Sequence, residues 1–254
     1  MNTKKLTVAS FFTGCGGLDL GFENAGFEVI LGSDFWKVSS KTYKQNFPKT
    51  VFIEKDIKKI TKNELNDVLI KKGIKKIDVI IGGPPCQSFS RLNNNNLKNN
   101  SERNELFREY IRMIKILKPK FVVMENVADL LVRKNSEGRN FKDIIQNAFN
   151  RAGYRVKYKI FKAENYGVPQ KRRRIIFLAT NKKNIKLDFP QESNKIPTVG
   201  QFLKKLEKSK IPLKIAGSWE FKNYVESIKK KYSSKYIKFI EPNSGMGINE
   251  SLKN

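Results

Sequence analysis

One thiol, a few carboxylates and a cluster of guanidinium groups are the side chains of this sequence most able to do chemistry. Cys86 sits in Gly82-Gly83-Pro84-Pro85-Cys86-Gln87-Ser88-Phe89-Ser90, directly after the apolar run Ile77-Asp78-Val79-Ile80-Ile81. The run has the length of a buried strand, and paired glycines and prolines force a stiff, non-helical exit from it. A thiolate held at the carboxyl end of a strand is placed to attack an electrophilic carbon. A lone cysteine is just as ordinarily a buried filler, so its company decides. Glu125-Asn126-Val127 closes a second strand-like run, Phe121 to Met124, and offers a carboxyl that could protonate what the thiolate attacks. Gln170-Lys171-Arg172-Arg173-Arg174 leads into a third. There a period of two sends Arg172 and Arg174 to one face, as a pair able to hold a phosphate or a base carbonyl.

A second group of residues suggests a bound nucleoside. Phe11-Phe12-Thr13-Gly14-Cys15-Gly16-Gly17 joins a strand to a helix. Its glycines let the backbone approach a ligand, and the helix N-terminus offers free N–H groups. Asp34, twenty residues beyond Gly14, ends the next strand, where an acid can grip a ribose diol. Asp56 ends a third strand and could accept from an adenine amino group. The turn lacks the Gly-Lys-Ser/Thr ending of a phosphate-binding P-loop.

Absences narrow the chemistry further. With no histidine in 254 residues, histidine triads and shuttles are excluded and zinc catalysis is all but excluded. Two cysteines, Cys15 and Cys86, are too few for a metal cage, so no metal is expected.

These residues need elements to position them, and the first 180 residues alternate as a doubly wound fold does. Strands are expected at Leu6 to Phe12, Glu28 to Leu31, Val51 to Ile53, Ile77 to Ile81, Phe121 to Met124, Tyr154 to Phe161 and Arg174 to Ala179. Helices are expected at Gly17 to Ala25 (Leu18, Phe22 and Ala25 inward), Lys37 to Asn46, Thr61 to Lys72, Glu105 to Leu117 and Asn140 to Arg151. Thr61 and Glu64 are spaced as a capping box. Leu92 to Asn100 holds six Asn in nine residues and reads as a surface loop. Beyond Thr180 the rhythm is lost, with helical stretches near Thr198 to Glu207 and Tyr224 to Tyr232. The expected division is therefore a domain at 1–180 and an irregular appendage at 181–254.

Lys and Arg total 51 against 24 acidic residues, a net charge of +27 that suits a polyanionic partner, nucleic acid first. All 11 arginines lie between Arg91 and Arg174, which hints at where the polyanion docks. No run approaches the roughly 18 apolar residues that span a bilayer, and the first residues are no signal-peptide core, so a cytoplasmic protein without membrane contact is expected.

Taken together and in this order, the segments resemble the C5-cytosine DNA methyltransferases of bacterial restriction-modification systems. Five segments from about Leu6 to Thr180 carry the resemblance: Phe-x-Gly-x-Gly-Gly at Phe12 to Gly17, Asp34 with Asp56, Pro-Pro-Cys-Gln, Glu125-Asn126-Val127, and Gln170-x-Arg-x-Arg behind Asn165-Tyr166-Gly167-Val168-Pro169. The resemblance implies a Rossmann-like, mostly parallel α/β sheet with S-adenosylmethionine as cofactor. Phe12, Thr13, Gly14, Cys15 and Gly17 would line the methionine and sulfonium side. Asp34 would hold the ribose, Phe35 and Ile57 would flank the adenine, Asp56 would meet its amino group, and Pro85 and Leu106 would complete the wall. Cys86 would add to cytosine C6 while Glu125 donates at N3, with Arg172 on the base carbonyl and Arg174 close behind. The cytosine would be flipped out of double-stranded DNA, which Gln87, Ser88, Arg91, Arg103, Asn126 and Gln170 would contact.

The resemblance fails beyond Thr180, because the family's target-recognition region and its Gln-Gly-Phe-Pro and Gly-Asn-Ser/Ala-Val segments are missing. The expectation is thus a DNA (cytosine-5) methyltransferase that is either split, with a second polypeptide supplying target recognition and the missing pocket segment, or a truncated form. The alternatives are a non-catalytic cofactor- or nucleic-acid-binding module of the same fold and a tRNA cytosine-5 methyltransferase.

Overall fold

In the computed structural model, residues 5–85, 100–135 and 138–201 are described; the side chains of 100–105 are not. Seven strands form one sheet: β1 (Thr7–Phe11), β2 (Glu28–Asp34), β3 (Val51–Glu54), β4 (Val79–Gly82), β5 (Phe121–Val127), β6 (Arg155–Lys162) and β7 (Arg173–Thr180). Their order is β3-β2-β1-β4-β5-β7-β6, parallel except for β7, which runs antiparallel between β5 and β6. Among the described residues five helices connect them: α1 (Gly17–Asn24), α2 (Lys37–Asn46), α3 (Lys62–Lys71), α4 (Asn100–Leu117) and α5 (Phe141–Arg151).

The larger core lies on one face of the sheet. There Ala9, Phe11, Ile80, Val122, Met124, Ile175 and Phe177 pack against Leu65 and Val68 of α3, Tyr110 to Leu117 of α4, and Ile145 and Phe149 of α5. Fully burying a side chain of this kind contributes roughly 1.5–3 kcal/mol. On the opposite face a smaller cluster of Val8, Val29, Val79 and Ile81 is covered by Leu18 and Phe22 of α1.

Parallel strands in such a sheet end on one edge, and that geometry brings distant sequence segments together. The turns after β1, β2, β3, β4 and β5 share this edge, and antiparallel β7 begins there, so Arg174 stands opposite Val127.

Several expected boundaries move. β2 runs to Asp34, past the expected Leu31, because it pairs with β3 as far as Glu54. β5 runs through Glu125, Asn126 and Val127, because their backbones continue the ladder with β7. α4 starts at Asn100, the last residue of the expected surface loop and five residues before the expected Glu105. On α1, Ala25 is exposed and Asp19 is fully buried, so the inward face is led by a carboxylate where an apolar residue was expected. The stretch expected to be helical near Tyr224 to Tyr232 lies outside the described residues.

Candidate active site and cofactor pocket

The turn between β1 and α1 is tightly specified. Phe12 adopts a left-handed backbone, φ 58°, an uncommon conformation for a non-glycine residue that a turn imposes. Gly14 and Gly16 follow at φ 53° and 91°. The turn is tied to the end of β2 twice: Thr13 N–H donates to the Ser33 carbonyl (3.2 Å), and Gly14 N–H donates to Asp34 Oδ2 (2.9 Å). Asp34 Oδ1 accepts from Trp36 N–H at 2.9 Å. The acid expected to grip a ribose therefore also holds both walls of the pocket, with lone pairs left over on each oxygen.

Between these walls lies a cavity of about 290 Å³. Six of the expected cofactor residues line it together: Phe12, Asp34, Phe35, Asp56, Ile57 and Leu106. Phe35 is exposed by 67%. Asp56 caps the short 3-10 turn at Ile57–Lys59, its Oδ1 accepting from Lys58 N–H. The apolar rings and two carboxylates suit an adenine and a ribose. Thr13, Gly14, Cys15 and Gly17 lie on the adjoining turn, outside the lining; Thr13 is buried and Cys15 exposed. Pro85, half-buried on the turn after β4, is not in the lining either. Lys55 and Lys58 were not singled out from the sequence but do line the cavity; nothing distinguished them from the other surface lysines.

Further along the same edge, Glu125 and Arg174 form an ion pair, Nε to Oε1 2.7 Å. Antiparallel register explains it. Arg174 opposes Val127, two residues beyond Glu125 on the same face, so the two side chains meet on the diagonal. Arg172 is exposed, and its guanidinium is held below its ordinary range by partial desolvation and by the charge of Arg174, with Glu125 opposing. Arg174, expected close behind Arg172, is the arginine paired with Glu125.

Glu125 also reaches the turn that leads to the thiol. A methyl group placed on Gly83 would lie 3.1 Å from Glu125 Oε2. Asn126 was expected to contact DNA. It is buried, 4% exposed, and its carboxamide donates to the Pro84 carbonyl (3.0 Å). That hydrogen bond makes it a brace for the Pro-Pro turn. Gln170 is exposed just ahead of β7. Cys86, Gln87, Ser88 and Arg91 lie outside the described residues, as does the side chain of Arg103.

A larger hollow of about 780 Å³ lies between α4 and α5 and is lined by none of the expected site residues. Among the described residues, no group of three or more Cys, Asp or Glu is placed to hold a metal, and no helix is long and apolar enough to cross a membrane.

Known proteins resemble the chain over most of its length. A model of the family described as C-5 cytosine-specific DNA methylase matches residues 6–252, well past Thr180, where the resemblance was expected to end. The Type II methyltransferase M.FnuDI of Fusobacterium nucleatum is 43% identical over 178 residues, 70% of this chain and 47% of that protein. The Type II methyltransferase M.NgoPII of Neisseria gonorrhoeae is 40% identical over 191 residues, 74% of this chain and 52% of that one. Among solved structures, a protein described as a DNA modification methyltransferase encoded within a prophage (E. coli) superimposes with a TM-score of 0.63 at 30% identity, covering 78% of this chain and 54% of its own. The chain spans about half the length of the curated relatives it matches.

Proposed function

We infer, because the chain belongs to the C-5 cytosine-specific DNA methylase family, that it carries the methyl-transfer machinery of a DNA (cytosine-5) methyltransferase acting on duplex DNA. S-adenosylmethionine, the family's methyl donor, would supply an electrophilic methyl group from its sulfonium. The cavity between Phe12, Asp34, Phe35, Asp56, Ile57 and Leu106 would hold its adenosyl part. Cys86 would form a bond from sulfur to cytosine C6 while Glu125 gives a proton at N3, which turns C5 into an enamine-like nucleophile. After C5 gains the methyl group and loses its proton, the C6–S bond breaks and the thiolate leaves. A stacked base is out of reach of these groups, so the cytosine must be flipped out. Arg172 and Arg174 would hold its carbonyl and the Glu125 carboxyl.

The observation that carries this reading is the Glu125–Arg174 pair, which stands at the strand edge beside the turn that leads to Cys86. Its test is transfer of labelled methyl groups from S-adenosylmethionine to random-sequence duplex DNA by the full chain, with transfer RNA as a parallel arm. Incorporation as 5-methylcytosine in DNA supports the reading; incorporation in RNA alone would reassign the substrate. Target recognition is proposed to come from residues outside the described ones. A second polypeptide, expected from the sequence, finds no support in the comparisons, and the reading does not depend on one.

A further inference from the structure

The cofactor reading leaves one buried group without a role. Asp19, in the first turn of α1, is 0% exposed and makes no salt bridge among the described residues. Its Oδ2 accepts from the Ser10 hydroxyl of β1 (3.0 Å), and its Oδ1 accepts from the Tyr43 hydroxyl of α2 (2.7 Å). Burial raises the Asp19 carboxyl above its ordinary range, against the two hydrogen bonds that lower it. Burial and the neighbouring carboxylate push Tyr43 far upward, so its hydroxyl stays a donor. A well-packed apolar pair would fill this space without that desolvation cost, whereas a hydrogen bond fixes how two elements sit against each other.

What it fixes is the underside of the cofactor pocket. Tyr43 stacks on Phe47 with ring centroids 4.6 Å apart, and together they press on the two elements that form the pocket walls. Tyr43 seats on Gly32 of β2, where an added Cβ would lie 2.6 Å from its hydroxyl. Phe47 seats on Gly16 of the β1–α1 turn, where a Cβ would overlap its ring. The same two walls carry Phe12 on one side and Asp34 with Phe35 on the other.

We propose that Asp19 and Tyr43 are positioning residues for the adenosyl pocket, their hydrogen bond setting the separation of its two walls and so the affinity for S-adenosylmethionine. The proposal rests on the cofactor reading above. Its test is binding of S-adenosylhomocysteine to the full chain by calorimetry, at a temperature where circular dichroism shows each variant folded. Tyr43→Phe keeps the ring on Gly32 and removes only the donor; Kd is expected to rise about tenfold. Asp19→Asn can still accept from Tyr43 and can donate to Ser10 in return, so its Kd should stay within about threefold of the parent. Affinity for duplex DNA without cofactor should change less than twofold in both. If Tyr43→Phe does not fold, Ser10→Ala, which removes the other donor, decides with the same expected loss. A folded Tyr43→Phe, or Ser10→Ala in its place, that binds as tightly as the parent overturns the positioning role, as does an equal loss of DNA and cofactor affinity. A parent chain that binds no S-adenosylhomocysteine refutes the cofactor reading itself, and the proposal with it.

Discussion

The Arg174 guanidinium grips the Glu125 carboxylate across two antiparallel strands, Nε to Oε1 2.7 Å, with both side chains about one-third exposed or less. Access from solvent lets a base reach the pair. In the proposed reaction Glu125 moves a proton, a contribution of about 10² to 10⁴ in rate for general acids. Glu125→Gln should therefore lower methyl transfer by about that factor while leaving DNA affinity within threefold. Arg174→Lys keeps the charge and loses the planar fork, and a smaller loss is expected. Single-turnover rates and gel shifts check both; unchanged turnover in Glu125→Gln would remove it from the chemistry.

Asn126 is a brace, so its loss should act on the neighbouring turn. Asn126→Ala leaves the Pro84 carbonyl without this donor, which should destabilise the fold by about 1–3 kcal/mol. Thiol labelling of Cys86 should change in the same variant, because the turn that presents it loses a fixed point. Urea titration and labelling kinetics measure the two effects. A stability change under about 0.5 kcal/mol would show that the hydrogen bond is dispensable.

Gly82 ends β4 where the strands crowd. A Cβ there would meet the Phe11 carbonyl oxygen at 2.5 Å and the Tyr110 ring at 2.8 Å. Backbone cannot swing aside as a flexible side chain can, so Gly82→Ala should cost about 1–3 kcal/mol by overpacking. Thermal melting tests it, and an unshifted midpoint would mean that the edge is more pliable than its packing indicates.

The fold was legible where local chemistry and tertiary demand agree. Thr61 and Glu64 form the expected capping box, Glu64 N–H donating to Thr61 Oγ1 (3.2 Å) and Thr61 N–H to Glu64 Oε2 (2.9 Å). The apolar runs became strands, and the acids Asp34 and Asp56 reached one cavity. What stayed hidden depends on long-range pairing. Glu125 meets Arg174 only because β7 enters antiparallel beside β5, and no local pattern announces that insertion. Asp19 was not among the residues expected to face inward on α1, since its donors come from 9 and 24 residues away.

Asp19 also gives the chain a pH dependence with a definite sign. Its folded pKa is raised above the unfolded value of 3.8 by burial, with the nearby Glu23 adding to the rise and Tyr43 and Ser10 opposing it. Between 3.8 and that raised value the folded chain binds more protons than the unfolded one, so this contribution is full at low pH and lost as pH rises. Asp19→Asn has no such titration. The melting temperature of the variant relative to the parent should therefore improve from about pH 4 to about pH 7. A constant difference across that range would show that Asp19 does not titrate abnormally.

The most direct measurement is a trap for the thiol adduct. The full chain is incubated with S-adenosylmethionine and a random-sequence duplex containing 5-fluorocytosine, whose C5 fluorine blocks the release step. A denaturant-resistant DNA adduct that maps to Cys86 by peptide mass spectrometry, and is absent from Cys86→Ser, is the expected result. Methyl transfer to ordinary DNA that survives in Cys86→Ser would contradict it.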